Sequence, residues 1–197
     1  MPVTWIAEDL GPATAPPHKK WTREECELLE KAGLAEAHRY ELIEGELVLK
    51  VGKKNPHMRA VLLLTNWLRS VFGNLHVLQE PSIDVSPQDH HTSEPEPDAA
   101  VLTKPFLEYP GQAPAADIIL VAEVSVTTLA FDLTTKAGLY ARAGIPEYWV
   151  LDVPRRRVIV HRDPAGGKYR SIESYQEQEP VTPLHSPQSS IVVAQLF

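Results

Sequence analysis

Three residues stand where a chain folding for stability alone has little reason to put them. Glu123 interrupts "DIILVAEVS", an apolar run that reads as a buried strand, and Lys136 falls at the edge of the apolar side of the helix that follows. Asp98 comes directly after a proline in "EPEPDAAVL", at the mouth of a second apolar strand. A buried carboxylate or ammonium must meet an opposite charge, a metal or several hydrogen-bond partners, because burying it unpaired is costly. Two carboxylates at neighbouring strand ends can hold a hard cation such as Mg²⁺ through oxygen. Such an ion activates water and offsets charge on a phosphoryl oxygen, while a nearby lysine positions the nucleophile or stabilises the transition state. Each residue also has a plainer reading. Glu123 can close a structural salt bridge, Asp98 can be a turn acid after proline, and Lys136 can run its stem past the core to water.

Other polar residues carry weaker signals. At 100° per residue Leu133, Ala137 and Tyr140 form one helical stripe with Lys136 at its edge. Asp132, one turn earlier, reads as an N-terminal helix residue. His57 lies in the first turn of a different helix, where it can meet a phosphate or simply cap. His90-His91 reads as surface loop, and Arg155-Arg156-Arg157 as an exposed hairpin turn that could touch a phosphate backbone. Tyr148 and Trp149 are expected in the core. Cys26, the lone cysteine, excludes an internal disulfide and a thiolate zinc cluster. The chain has no G-x-x-x-x-G-K-[ST], G-x-S-x-G or G-x-G-x-x-G pattern, so nucleotide hydrolase, serine hydrolase and dinucleotide-binding readings lack support.

The elements that position these residues follow from local chemistry. Residues 1–18, with "GPATAPPH", are expected to form a flexible N-terminal arm, and residues 19–197 one domain. Thr22 with Glu25 predicts a capping box opening a helix that ends at Lys31 and Gly33. "YELIEGELVLKV" predicts a hairpin turning at Glu44-Gly45. "KNPHMRAVLLLTNWLRSVFG" predicts a helix with Asn55 as N-cap, Pro56 at its first position and a stripe of Met58, Val61, Leu62, Thr65, Leu68 and Phe72. In the strand "IILVAEVS", alternation places Ile119, Val121, Glu123 and Ser125 on one face and Ile118, Leu120, Ala122 and Val124 on the other. Apolarity on both faces marks it as central and covered. A helix through Lys136 closed by Gly144, a hairpin "EYWVLDVPRRRVIVHRD" and a strand in "GGKYRSIESY" complete a mixed sheet flanked by helices, an α/β (α+β) fold.

The chain has 197 residues, 43% of them hydrophobic and 23% charged, enough for one domain with a proper core. No apolar run approaches the ~20 residues of a membrane span, and the N-terminal stretch lacks the pattern of a signal peptide. A cytoplasmic protein is expected. The net charge of −7 argues against gripping nucleic acid with the whole surface but leaves room for a local basic groove.

From about Tyr40 to Phe197 the chain resembles the Uma2 family, also known as DUF820, of endonuclease-like proteins with the PD-(D/E)XK restriction-endonuclease-like fold. The resemblance rests on "YELIEGELV", "NPH" opening a helix, "EPEPDAAVL", "LVAEVSVTT" and "KAGLYARAGIPEYWVLD", the last being the most specific. It implies a Mg²⁺- or Mn²⁺-dependent endonuclease acting on DNA, with Asp98, Glu123 and Lys136 as catalytic residues. Asp98, Glu123 and the backbone carbonyl of Val124 would hold the metal. Glu41 is a further acidic candidate, not separable by sequence from Glu44 or Glu46. Two departures stand out. Ser125 occupies the lysine position of the motif, the basic role moving to Lys136, and Val126 replaces an acidic residue frequent in the family. A catalytically silent nuclease-like module that binds nucleic acid or a protein partner is the rival expectation. Weak, salt-sensitive DNA binding and a possible homodimer accompany the first reading.

Overall fold

The computed structural model describes residues 18–33, 39–50 and 54–197. The expected arm over residues 1–18, His18 apart, lies outside the described residues. The capping box forms as the sequence predicts. Thr22 accepts from the Glu25 amide, Glu25 reaches back to the Thr22 amide, and α1 (Arg23–Lys31) follows. Glu44 and Gly45 both take positive φ, 50° and 80°, the geometry of a two-residue type I′ turn. They fold β1 (Tyr40–Ile43) onto β2 (Glu46–Leu49), with Ile43 opposite Glu46 and Glu41 opposite Val48. Glycine is needed at 45 on a second ground, since a Cβ there would sit 2.9 Å from the Lys20 side chain.

Helix α2 (Asn55–Phe72) begins one residue earlier than expected. Lys54 is its N-cap and makes no side-chain cap bond, so Asn55 is already helical. Its buried stripe is Ala60, Val61, Leu64, Thr65 and Leu68, whereas Met58 and Leu62 are exposed. The stripe follows the tightest i, i+3, i+4 spacing around Leu64.

Six strands form the main sheet in the order β3 (Val77–Gln79), β4 (Ala99–Leu102), β5 (Ile118–Ser125), β6 (Glu147–Asp152), β7 (Arg157–Ala165) and β8 (Lys168–Tyr175). Only β5 and β6 pair in parallel; all other neighbours are antiparallel. One face carries Leu120, Ala122, Val124, Trp149 and Leu151 against α2 and the C-terminal segment ending at Phe197. The other carries Ala100, Val121, Tyr148, Val150 and Ile159. The alternation expected for β5 holds from Leu120 onward but fails at its start. The β4–β5 register slips between Val101 and Leu102, so Ile118 joins the cluster of Val121 and Ile119 that of Leu120. An extra residue at a bulge moves the following side chain to the opposite face.

The connection from β5 to β6 is helical but not uniformly α. A short α3 (Leu129–Phe131) runs into a π-helical stretch (Asp132–Lys136) and then α4 (Ala137–Arg142). The Ile145 amide bonds to the Tyr140 carbonyl and the Gly144 amide to Ala141, with Gly144 at φ 76°. That is a Schellman stop, and it delivers the chain directly into β6. No helix among the described residues is long and apolar enough to cross a membrane.

Candidate active site

The site forms at the open end of the β4–β5 pair. Ala99 and Ala122 are partners, so Asp98 and Glu123 stand one step beyond them on facing strands. Both point to the side of the sheet that carries α4. Asp98 Oδ2 accepts the Val124 amide at 2.8 Å and lies 3.2 Å from Nε2 of His57. The proline before Asp98 therefore leads into an anchored carboxylate rather than a free turn acid.

Glu123 answers the burial problem with two donors. Its Oε1 accepts from Lys136 Nζ and from the Tyr140 hydroxyl, each at 2.8 Å. Lys136 is also 3.0 Å from Glu41 Oε1, and Glu41 Oε2 accepts the Glu96 amide at 3.2 Å. Of the three acids around the first hairpin, only Glu41 joins the site. Glu44 pairs with Arg142, and Glu46 with Lys20.

Lys136 does not run to water. It is 4% exposed, beside Glu123 at 5%, Asp98 at 6% and Asp132 at 3%. The π stretch explains why wheel arithmetic put it at an edge. Bonds from i to i+5 insert an extra residue in the turn, which rotates Asp132 and Lys136 inward together. Asp132 is accordingly no helix cap. Thr128 is the N-cap of α3, and its hydroxyl donates to Asp132 Oδ2 at 2.7 Å. The Ser125 hydroxyl lies 3.4 Å from that of Thr128.

Asp98, Asp132, Glu41 and the Lys136 ammonium thus all act on Glu123. Burial pushes the Glu123 carboxyl up to about 8; the Lys136 charge opposes the rise, and Asp98, Asp132 and Glu41 add to it. Burial also raises Asp132 against its bond from Thr128. For Lys136 burial works against the charged form, but Glu123 and Glu41 outweigh it and hold the ammonium protonated. A group perturbed by burial together with specific charge partners, and lying in a cleft, is a functional-site candidate.

The cluster opens into a cleft of about 650 Å³. Asp98, Glu123, Asp132 and Lys136 lie on its lining together with Glu41 and His57; Val124 and Val126 form part of the wall. Among the described residues no three His, Cys, Asp or Glu side chains are disposed as a closed cation cage. His57, which by sequence can meet a phosphate or simply cap, is set against Asp98 in the structure. Its ring touches Asp98, and its Nδ1 is buried without a hydrogen-bond partner. Only the pairing of two segments 41 residues apart reveals this.

The remaining polar candidates fall elsewhere. His90 and His91 are exposed, His90 bonding Asp84 and Arg23. Asp152 takes Arg155 and Arg157, and Arg156 takes Glu177. Tyr148 and Trp149 are fully buried, as expected.

A mixed sheet flanked by helices, with acids at the open end of its central antiparallel pair, is the restriction-endonuclease-like arrangement. The chain belongs to the Uma2 family, whose model matches residues 23–194 and is described as "Putative restriction endonuclease". It is similar in fold to a crystal structure described as "a putative nuclease belonging to DUF820" from Anabaena variabilis ATCC 29413. The two superpose with a TM-score of 0.63 at 18% identity, over 86% of this chain and 96% of the other. No curated protein matches the chain.

Proposed function

We propose that this protein is a Mg²⁺- or Mn²⁺-dependent endonuclease that hydrolyses DNA phosphodiesters at the Asp98–Glu123–Lys136 cluster. The observation that carries the proposal is the convergence of Glu41 and Glu123, from β1 and β5, on one buried lysine in a cleft that Asp98 also lines. Family membership supports the nuclease class.

The donor set suits a hard cation of the loosely held kind. Its ligands are oxygens, and Mg²⁺ is ordinarily bound by one or two carboxylates with retained waters and substrate phosphates, without a dedicated cage. Asp98, Glu123 and the Val124 carbonyl would hold the ion. When bound, it supplies Lewis-acid polarisation of a phosphoryl oxygen and lowers the pKa of water. The chain's own residues do the rest. His57 and the Val124 amide fix the Asp98 carboxylate, and Tyr140 fixes Glu123. Glu41 is a further oxygen donor on the lining, and its bond to Lys136 aims the ammonium. Lys136 orients the attacking water and stabilises charge on the phosphoryl group. The net charge of −7 makes DNA binding weak and salt-sensitive, and a homodimer or partner protein would supply additional basic surface.

A silent binding module is favoured by one feature. Lys136 and Tyr140 already satisfy Glu123 Oε1 without any ion. Calorimetry with Mn²⁺ on the native protein and on Glu123→Gln, alongside cleavage of plasmid and of single-stranded DNA, separates the readings. The nuclease reading expects binding and cleavage that the variant loses. An intact fold with no cleavage of either DNA form, and no Mn²⁺ binding with or without DNA present, supports the silent module.

A further inference from the structure

Resting on the nuclease reading, we propose that the cleft takes unpaired DNA rather than duplex, with the base beside the scissile phosphate seated on an apolar wall of Val48, Leu49, Val126 and Phe131. These four residues line the same cleft as the acids. The β1–β2 register sets Val48 directly opposite Glu41, so the apolar wall begins beside the carboxylate that holds Lys136. At the other side Val126 follows Ser125 within two residues of Val124, and Phe131 immediately precedes Asp132. Phe131 and Val126 are half-buried and Leu49 is exposed, leaving apolar surface open to the cleft where water would otherwise lie.

Shape and burial both select against a duplex. A volume near 650 Å³ is that of a small-molecule pocket. A duplex is a stiff rod that carries its phosphates on a convex surface. Asp98, Glu123 and Lys136 are each no more than 6% exposed at the cleft floor, so a phosphate must enter the cleft to meet them. A flexible single strand can do so and can splay its base aside onto an aromatic and aliphatic wall, the way sequence-tolerant single-strand binders use stacking. Acids outnumber cations on the lining, Lys50 being paired with Glu96 at 2.6 Å, and exposed Lys54 is the cation placed to meet a phosphate of the entering strand.

The test is fluorescence anisotropy with a labelled 12-nucleotide strand and the same strand annealed to its complement, in Ca²⁺ at fixed salt. Native full-length protein, Phe131→Leu and Leu49→Ser are compared. Phe131→Leu keeps side-chain bulk but removes the stacking face, and Leu49→Ser alters an exposed position that folding does not need. The proposal expects the single strand to bind at least tenfold tighter than the duplex. Each variant should weaken the single strand severalfold to about tenfold while leaving duplex binding unchanged. Equal or tighter duplex binding overturns it, as does a loss that falls equally on both forms. Glu123-dependent plasmid cleavage with native preference for duplex would sink this proposal and leave the nuclease reading standing. Absence of both binding and cleavage would remove the two together.

Discussion

Two buried glutamates sit in the same sheet, and their surroundings differ in a way that separates structure from chemistry. Glu147, at the start of β6, is fully buried. Its Oε1 accepts from Arg162 at 2.8 and 2.6 Å and from the Trp149 indole at 3.0 Å, while Oε2 accepts the Leu184 amide at 2.7 Å. Arg162 reaches on to the Thr182 carbonyl. Both oxygens are occupied, the charge has a guanidinium partner, and the C-terminal segment is tied to the sheet. Glu123 is nearly as buried but shares its lysine with Glu41, stands near Asp98 and Asp132, and faces a cleft. A carboxylate buried for stability collects donors until it is satisfied. Glu123 instead stays among like charges, as the proposed metal-binding role would require.

The largest effect should come from neutralising each in turn. Glu147→Gln leaves Arg162 partly buried without its counter-charge and should lower stability by about 3–5 kcal/mol, read as a shift in denaturant midpoint. Glu123→Gln removes one of four crowded acids while Lys136 keeps Glu41, so it should leave stability unchanged or raise it. Equal losses in the two variants would erase the distinction and make Glu123 a structural residue.

The Glu123 side of this contrast is legible in the sequence and the Glu147 side is not, and the gaps have physical causes. An acid inside an apolar strand and a lysine at the edge of an apolar helical stripe conflict with local pattern, and such conflicts gather at functional sites. That singled out Glu123 and Lys136, and the fold brings them to 2.8 Å. The Thr22–Glu25 box, the Glu44-Gly45 turn and the Gly144 stop rest on local chemistry, and each forms. A π stretch has no fixed sequence signature, so a 100° wheel sets Lys136 at the stripe's edge and Asp132 reads as an ordinary N-terminal helix residue, where the structure buries both. Ile118 and Ile119 were reversed because the bulge depends on how β4 pairs, which β5 alone does not encode. Glu41 was inseparable from Glu44 and Glu46 until Lys136 and Arg142 were in place. His57 needed its contact with Asp98. The Glu147 knot needed Arg162 and Leu184, both distant in sequence.

A smaller effect tests the crowding itself. With the Glu123 carboxyl pushed up to about 8, the folded state retains a proton that the unfolded chain has released above its ordinary 4.5. Folded protein then binds more protons than unfolded, so stability falls as pH rises through this window. From pH 7 to 8.5 the loss should be about 1 kcal/mol, seen as a falling Tm that Glu123→Gln flattens. Asp132, raised in the same direction, adds to the slope at lower pH. Buried His161, whose pKa is lowered by burial, gives the opposite slope below its ordinary 6.5, which is why the upper window is the informative one. A Tm that stays level or rises across it in the native protein would mean that Glu123 is ionised throughout, its charge compensated by Lys136.

The smallest effect is expected at Glu46, five residues beyond Glu41 on the other arm of the same hairpin. Its bond to Lys20 is 2.9 Å, no longer than the Glu41–Lys136 contact, so distance alone ranks the two pairs together. Exposure separates them. The Glu46 and Lys20 side chains are 68% and 54% exposed, against 10% and 5% for Glu41 and Lys136. Water and salt screen the first pair, and ordering two long side chains offsets its attraction. Glu46→Gln should therefore leave Tm, Mn²⁺ affinity and the pH slope unchanged within measurement at both low and high salt. Glu41→Gln should change the pH slope, because it removes one of the charges that raise Glu123. If the two substitutions behave alike, the hairpin contributes only a surface to the cleft, and the acids that matter are those of β4, β5 and the π stretch.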